Sequence, residues 1–198
     1  MKKILKVDIS LSKVINNYFS RNKFITSFFS FITHTSGGRT YILYFIILPF
    51  LPELTNNILT NKQASFIWIY GGTAFILFQV PIYFILKQFV KRNRPYEYNY
   101  TKMLIKAPDK YSFPSGHCAS ATLITLLMFN GDVFLAPLFL IWMILILISR
   151  IGLGIHYITD VIGGLILGSV TYLVALYLSN FKLIYNHKLY SILSNFLN

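Results

Sequence analysis

The sequence predicts an all-α, polytopic membrane bundle of about five transmembrane helices, preceded by an amphipathic helix at the membrane surface. Three observations predict it. Of 198 residues, 55% are hydrophobic and only 12% charged, about half the charged fraction of an ordinary soluble domain, near 25%. The apolar residues fall in five long runs on the scale of the roughly 20 residues that a membrane-spanning helix needs. Eighteen Lys and Arg against six Asp and Glu give a net charge of +12, which in so apolar a chain fits anionic lipid and membrane orientation rather than nucleic acid. The same composition excludes a disordered chain. The single cysteine, Cys118, excludes an internal disulfide or a cysteine-based zinc cluster and is expected to be a small buried residue.

Residues 1–35 form the predicted N-terminal segment. The opening Met-Lys-Lys-Ile-Leu-Lys resembles the basic start of a signal peptide, but no apolar stretch follows it, so cleavage is not expected. Ile4, Val7, Leu11, Val14 and Tyr18 instead recur at helical period, with Lys2, Lys6, Asp8, Lys13, Asn16 and Asn17 mostly off that stripe. That pattern predicts a helix lying on the membrane surface or, equally, one packed on protein. Phe24 to Thr33 is apolar but too short to span, and Thr35-Ser36-Gly37-Gly38 breaks the pattern.

Residues 36–180 form the predicted membrane-embedded core. Its five runs extend over about Tyr41 to Leu59, with Pro49, Pro52 and Glu53 inside it; Ser65 to Val90, which holds Pro81; Ser115 to Phe129; Val133 to Ile151; and Tyr157 to Leu178. A loop with seven Lys or Arg between Lys87 and Lys110 separates the second and third runs, and the turn Asn130-Gly131-Asp132 separates the third and fourth. Residues 181–198 are a polar tail. With five crossings, the second and fourth runs end, and the third and fifth begin, on the same side of the bilayer.

The unusual polar residues stand at those four ends. Lys87 and Arg94, followed by Pro95, close the second run; Pro114-Ser115-Gly116-His117 opens the third; Ser149-Arg150 and His156 to Asp160 join the fourth to the fifth. Ionisable groups at a membrane boundary are costly and point to function. Three clustered cations without matching acids call for an anion, and planar guanidinium forks fit phosphate oxygens. Pro114-Ser115-Gly116 adds the N–H donors and positive dipole of a helix start. His156 and Asp160, four apart, share a helical face, so the carboxylate can hold the Nδ1 proton and leave Nε2 as a nucleophile. His117, from another helix, can protonate a leaving oxygen. The chemistry that needs this set is in-line phosphoryl transfer through a phosphohistidine. Each piece alone has a plainer structural reading, as a snorkelling anchor, a turn or a structural hydrogen bond. The ordered set does not.

The three motifs resemble those of the type 2 phosphatidic acid phosphatase superfamily, which also includes the vanadium haloperoxidases: Lys-x6-Arg-Pro, Pro-Ser-Gly-His and Ser-Arg-x5-His-x3-Asp. Every motif position is occupied, by Lys87, Arg94 and Pro95; Pro114, Ser115, Gly116 and His117; and Ser149, Arg150, His156 and Asp160. The resemblance covers roughly residues 24–178. It implies a helical bundle and a metal-independent phosphatase acting on lipid phosphates or pyrophosphates. By that resemblance His156 is the nucleophile, Asp160 its orienter, and His117 the general acid and then the base for water. Lys87, Arg94, Arg150, Ser115 and Gly116 are the phosphate ligands, and no cofactor or metal is implied.

The expected substrate is undecaprenyl pyrophosphate or a phospholipid phosphate, with phosphatidylglycerophosphate and lipid A as alternatives. A catalytically silent binder of anionic lipid is the reading from a different class. Expected partners are the lipid substrate and membrane lipids, with no nucleic acid and no expectation about oligomeric state. The expected location is a bacterial inner membrane. Its sidedness stays open, because fifteen of the eighteen Lys and Arg fall on the active-site face, and three of them are the phosphate ligands themselves. Lys91 and Arg92 are expected to be solvated surface charges, and His34 and His187 surface or interfacial residues. Gly164 and Gly168 are expected to pack one helix closely on another within the bundle.

Overall fold

The structure, a computed structural model, describes residues 2–50 and 60–180. Among these residues the secondary structure is wholly helical, in seven helices: α1 (Lys2–Arg21), α2 (Lys23–His34), α3 (Gly38–Ile47), α4 (61–90), α5 (Gly116–Asn130), α6 (Ala136–Gly152) and α7 (Ile158–Asn180). The end of the first apolar run and the tail 181–198 lie outside the described residues, as does His187. Helices α3 to α7 stand where the sequence places its five spans. The stretch Ile67–Tyr98 is long and apolar enough to cross a membrane, and Ala136–Gly152 and Ile158–Val174 are shorter apolar helices.

Local chemistry sets the boundaries. Asn22 breaks α1 from α2 and caps α2, its side chain accepting hydrogen bonds from the amides of Phe24 and Ile25. Helix α4 begins with a reciprocal capping box between Thr60 and Gln63 and contains two π-helical stretches, Ile67–Gly71 and Ala74–Gln79. Pro81 stands two positions after the second stretch ends at Gln79, in the first turn of the α-helical segment that follows. Lys91, in the left-handed region at φ 47°, ends α4.

The bundle centre is α5, whose Cys118, Ala119, Ala121, Leu123 and Leu127 are buried. It packs chiefly against α7. Gly164 and Gly168 make that approach possible: a Cβ at Gly164 would stand 2.5 Å from the Ser115 carbonyl oxygen, and one at Gly168 would collide with the Ala119 carbonyl. The glycine pair therefore packs within the bundle, as expected, and Cys118 is buried, also as expected. The outer surface is apolar, with Ile76, Leu77 and Phe84 of α4, Ile141 and Ile144 of α6, and Ile166 and Leu173 of α7 facing outward. So much outward apolar surface on helical segments suits lipid rather than water, and places the chain in a membrane.

Helix α1 carries the opposite arrangement on its two faces. Val7, Leu11, Val14 and Tyr18 of the apolar stripe are exposed, while the polar Asp8, Ser12 and Asn16 are buried with Phe19 against the bundle. The stripe is free for lipid, and the helix packs on protein through its polar side, a combination that the sequence pattern did not separate.

Candidate active site

The four helix ends converge. The Ser115 amide donates to the Asp160 carbonyl at 3.0 Å, and the His156 amide to the Arg150 carbonyl at 3.2 Å, joining the starts of α5 and α7 to the end of α6. His156 lies in the connection between α6 and α7, which folds tightly because Gly154 adopts φ +79°. A side chain there would be strained, and its Cβ would collide with the Lys102 carbonyl and approach Asn16. The loop before α5 and the polar face of α1 thus close directly over the backbone that carries His156.

Arg94 is fully buried. Its guanidinium donates to the carbonyls of Asp109 (3.0 Å) and Ile155 (2.7 Å) and to the Asp109 carboxylate (2.8 Å), and one nitrogen lies 3.3 Å from His156 Nε2. An arginine has only donors, so a bond there requires an unprotonated Nε2 and places the ring proton on Nδ1. Burial first, then the charges of Arg94, Arg150 and Lys87, hold the His156 imidazole well below its ordinary value and keep it neutral. Nδ1 faces Asp160, but at 3.6 Å from Oδ2 it is beyond a hydrogen bond and has no partner among the described residues. That Oδ2 accepts from the Tyr157 amide at 2.9 Å. Catalytic hydrogen bonds are often this loose without substrate.

Lys87 donates to Asp109 at 2.7 Å and to the Tyr111 carbonyl, and Tyr83 donates its hydroxyl to the other Asp109 oxygen at 2.5 Å. Gly116 admits the Tyr83 ring, which a Cβ there would meet at 2.8 Å. Burial alone would push the Asp109 carboxyl up, but Lys87, the Tyr83 hydroxyl and Arg94 outweigh it and hold the group below its ordinary value. The expectation of three cations without matching acids is therefore corrected: Asp109 matches two of them. It went unnoticed because its partners stand 22 and 15 positions away, with no periodicity to link them.

Arg150 is different. It is 1% exposed, donates once, to the Thr33 hydroxyl at 2.7 Å, and leaves Nε and its second terminal nitrogen unpartnered among the described residues. The Ser115 hydroxyl is also buried and unpartnered. Ser36 donates to the His117 carbonyl at 2.9 Å. Arg150 and Ser115 thus hold buried donors that have no acceptor among the described residues.

A second expectation needs correction. Arg92 is not a solvated charge: its guanidinium bridges Asp8 and Asp160, each at 2.7 Å, and lies 3.9 Å over the Tyr157 ring. Lys91, beside it, is exposed, as is His34. Asp8, Thr33 and Tyr83 also reach the site and were not anticipated. The polar spacing of Asp8, Ser12 and Asn16, four apart, was the available signal for α1.

An apolar cavity of about 480 Å³ opens beside this cluster, lined by Ile32, Tyr44, Ile124, Met128 and Trp142 among others. It begins at Ile32 and Thr35, on either side of the Thr33 that bonds Arg150.

Comparison with known proteins follows the same lines. A decaprenylphosphoryl-5-phosphoribose phosphatase of Mycobacterium tuberculosis is 34% identical over 103 residues, 52% of this chain and 55% of the relative. An undecaprenyl-diphosphatase of Sulfolobus acidocaldarius is 35% identical over 104 residues, half of each chain. The chain therefore spans about half the length of the curated relatives it matches. In structure it resembles the transmembrane PAP2-type phosphatidylglycerolphosphate phosphatase of Bacillus subtilis, with a TM-score of 0.68 at 21% identity over 91% of this chain and 88% of the other. It also resembles LpxE of Aquifex aeolicus, with a TM-score of 0.65 at 25% identity over 85% and 93%. The sequence profile of the PAP2 superfamily matches residues 64–184, which hold all three motifs, and the chain belongs to that superfamily.

Proposed function

We propose that this protein is an integral membrane phosphatase that hydrolyses a lipid phosphate or pyrophosphate through a phosphohistidine. The observation that carries the reading is the pair of unpartnered Arg150 nitrogens, buried with the unpartnered Ser115 hydroxyl in a site where a neutral His156 presents Nε2 to Arg94. Desolvated donors without acceptors are costly, and a phosphoryl group supplies the acceptors.

In the proposed reaction the Nε2 lone pair attacks phosphorus as the bond to the leaving oxygen breaks, and His117 gives that oxygen a proton. Neutral His117 then takes a proton from water, the resulting hydroxide attacks the phosphohistidine, and inorganic phosphate leaves as Nε2 recovers its lone pair. Asp160 steadies the imidazolium that forms. Lys87, Arg94, Arg150, Ser115 and Gly116 stabilise the equatorial oxygens. Three side-chain cations supply the charge that a metal would otherwise bring.

The substrate proposed is a polyprenyl phosphate or pyrophosphate of the undecaprenyl type, or a phospholipid phosphate. The named activities of the curated relatives support the first, and the apolar cavity beside Thr33 suits a lipid tail of either. We place the protein in the cytoplasmic membrane of a bacterium, for which the polyprenyl relatives and the excess of basic residues speak. Phosphate release by the detergent-purified protein in excess EDTA tests the reading, with undecaprenyl pyrophosphate, phosphatidic acid, phosphatidylglycerophosphate and lipid A as substrates and His156→Ala alongside. Release that vanishes in the variant is expected. Dependence on magnesium would remove the mechanism, and no release from any lipid by folded protein would favour a silent anionic-lipid binder.

A further inference from the structure

Arg92 belongs to neither the expected phosphate ligands nor the expected catalytic residues, yet both of its terminal nitrogens are bonded to carboxylates. One terminal nitrogen donates to Asp160 Oδ1 at 2.7 Å and to the Thr159 hydroxyl at 2.6 Å. The other donates to Asp8 Oδ2 at 2.7 Å. Asp8 in turn accepts from the Thr159 amide at 3.1 Å and the Thr159 hydroxyl at 2.5 Å. The Thr159 amide is one of the donors that the first turn of α7 leaves without a helical acceptor, so Asp8 caps α7 from a different helix. Asp8 and Asp160 are both buried, at 4% and 0% exposure, and the Tyr157 ring lies over one face of the guanidinium.

We propose that Arg92 is a positioning residue which, clamped by Asp8 of the N-terminal helix, fixes the rotation of the Asp160 carboxylate so that one oxygen is engaged and the other faces His156 Nδ1. The surface helix α1 is thereby part of the catalytic apparatus, not only a lipid-facing strap. A carboxylate turns freely about its last torsion. With Arg92 holding Oδ1, Oδ2 is the oxygen left for the Tyr157 amide and the imidazole. Lysine could not replace it fully, because a single ammonium cannot reach two carboxylates through separate nitrogens of one plane.

The kinetic part rests on the phosphatase reading, and the spectroscopic part does not. The variants are Arg92→Gln, Arg92→Lys, Asp8→Asn, the double variant Asp8→Asn/Arg92→Gln, and Lys91→Asn as an exposed neighbour. Vanadate titration counts intact sites in each. Arg92→Gln is expected to lower kcat per vanadate-binding site by about 100-fold, the scale for a group that orients a histidine through its carboxylate, with KM within about threefold. Arg92→Lys recovers part of that loss, and Asp8→Asn alone costs about fivefold but nothing further in the Arg92→Gln background. Lys91→Asn keeps native kinetics. In histidine-labelled protein in micelles, the ring nitrogens of His156 report the Nδ1–H tautomer in the native chain and a mixture in Arg92→Gln.

The proposal is overturned if Arg92→Gln stays within twofold of native kcat with an unchanged tautomer, if Asp8→Asn costs as much in the double variant as alone, or if lost turnover merely tracks lost vanadate sites. Should the native chain release phosphate from no lipid, the phosphatase reading falls instead. The tautomer then decides: a shift in Arg92→Gln upholds the positioning role and an unchanged ring ends it.

Discussion

Two sides of one pocket are built differently. On the α4 side, Lys87 and Arg94 already share the Asp109 carboxylate. On the α6 side, Arg150 is buried as deeply and, among the described residues, meets no carboxylate and donates to the Thr33 hydroxyl alone. A buried charge without a counter-ion is the more expensive arrangement, so the unpaired side marks where an incoming anion gains most. On the proposed phosphatase reading, a phosphate at Lys87 and Arg94 would have to exchange with Asp109, whereas at Arg150 it would fill open donors. The difference orders the effects expected from changing each side.

The largest effect belongs to the unpaired side. Arg150→Ala is expected to lower kcat/KM by about a thousandfold, the scale for deleting a principal oxyanion donor, and Arg150→Lys to recover little of it, since an ammonium lacks the planar fork. Lys87→Ala should cost less, because Arg94 remains beside Asp109 and the departing lysine also releases that carboxylate from one partner. Steady-state kinetics on one lipid phosphate decide it, and a greater loss at Lys87 would break the comparison.

Changing the paired side at its acid gives the next effect, with the opposite sign for binding. Asp109→Asn keeps the shape but removes the resident negative charge, so vanadate is expected to bind about tenfold tighter, the worth of one charge-assisted hydrogen bond no longer in competition. Thermal stability should fall at the same time, because Lys87 and Arg94 then lack a counter-ion. Vanadate inhibition constants and unfolding curves in detergent report both. Weaker vanadate binding would mean that Asp109 holds the cations in place for phosphate instead of competing with it.

Acid distinguishes the groups further. His156 is held well below its ordinary 6.5 and Asp109 below its ordinary 3.8. In both cases the unfolded chain takes up protons first as the pH falls, so each group contributes stability that is present above its ordinary value and lost as the pH drops through the folded one. His156 should begin to lose its contribution below pH 6.5 and Asp109 only below 3.8. Unfolding temperatures of His156→Ala and Asp109→Asn against the native chain, scanned from pH 8 to 3, should show the two losses in that order. The neutral nucleophile should also keep kcat from falling at pH 6.5 itself, and a kcat profile with its acid limb there would contradict the burial of His156.

These contrasts were only partly legible in the sequence. The helices follow from apolar runs of spanning length, and the placement of the eight expected site residues near helix ends follows from the spacing of the motifs. Arg94, Arg150, His156 and Asp160 are brought together because four chain ends meet on one side. Asp109 and Thr33 were invisible for a common reason: each is a lone polar residue whose partner is set by packing, 22 and 117 positions from Lys87 and Arg150. Asp8 stands in a legible polar spacing with Ser12 and Asn16, but its partner Arg92, 84 positions away, is likewise set by packing. Arg92 was misread because a charge between two motif positions has the appearance of a solvated residue. Two acids on other helices, Asp8 and Asp160, and the Tyr157 ring beside the guanidinium hold it against the bundle.

The smallest effects come from α1, where the same contrast between bonded and open sides runs along a single helix. Asn16 donates to the carbonyls of Lys102 at 3.0 Å and Gly152 at 2.9 Å and accepts from the Lys102 amide at 2.7 Å. Asn16→Ala would strand these groups in a buried place and is expected to cost about 1–3 kcal/mol, read as a lower unfolding temperature in detergent. Two positions earlier, Val14 points outward at 63% exposure, and Val14→Ser is expected to change stability by no more than about 0.5 kcal/mol. If Val14→Ser destabilised the protein as much as Asn16→Ala, the stripe would be packed on protein, and the lipid-facing assignment of α1 would have to be reversed. If both were silent, the bonds of Asn16 would not hold α1 to the loop above His156. The helix would then owe its place to Phe19 and to the Asp8 clamp alone.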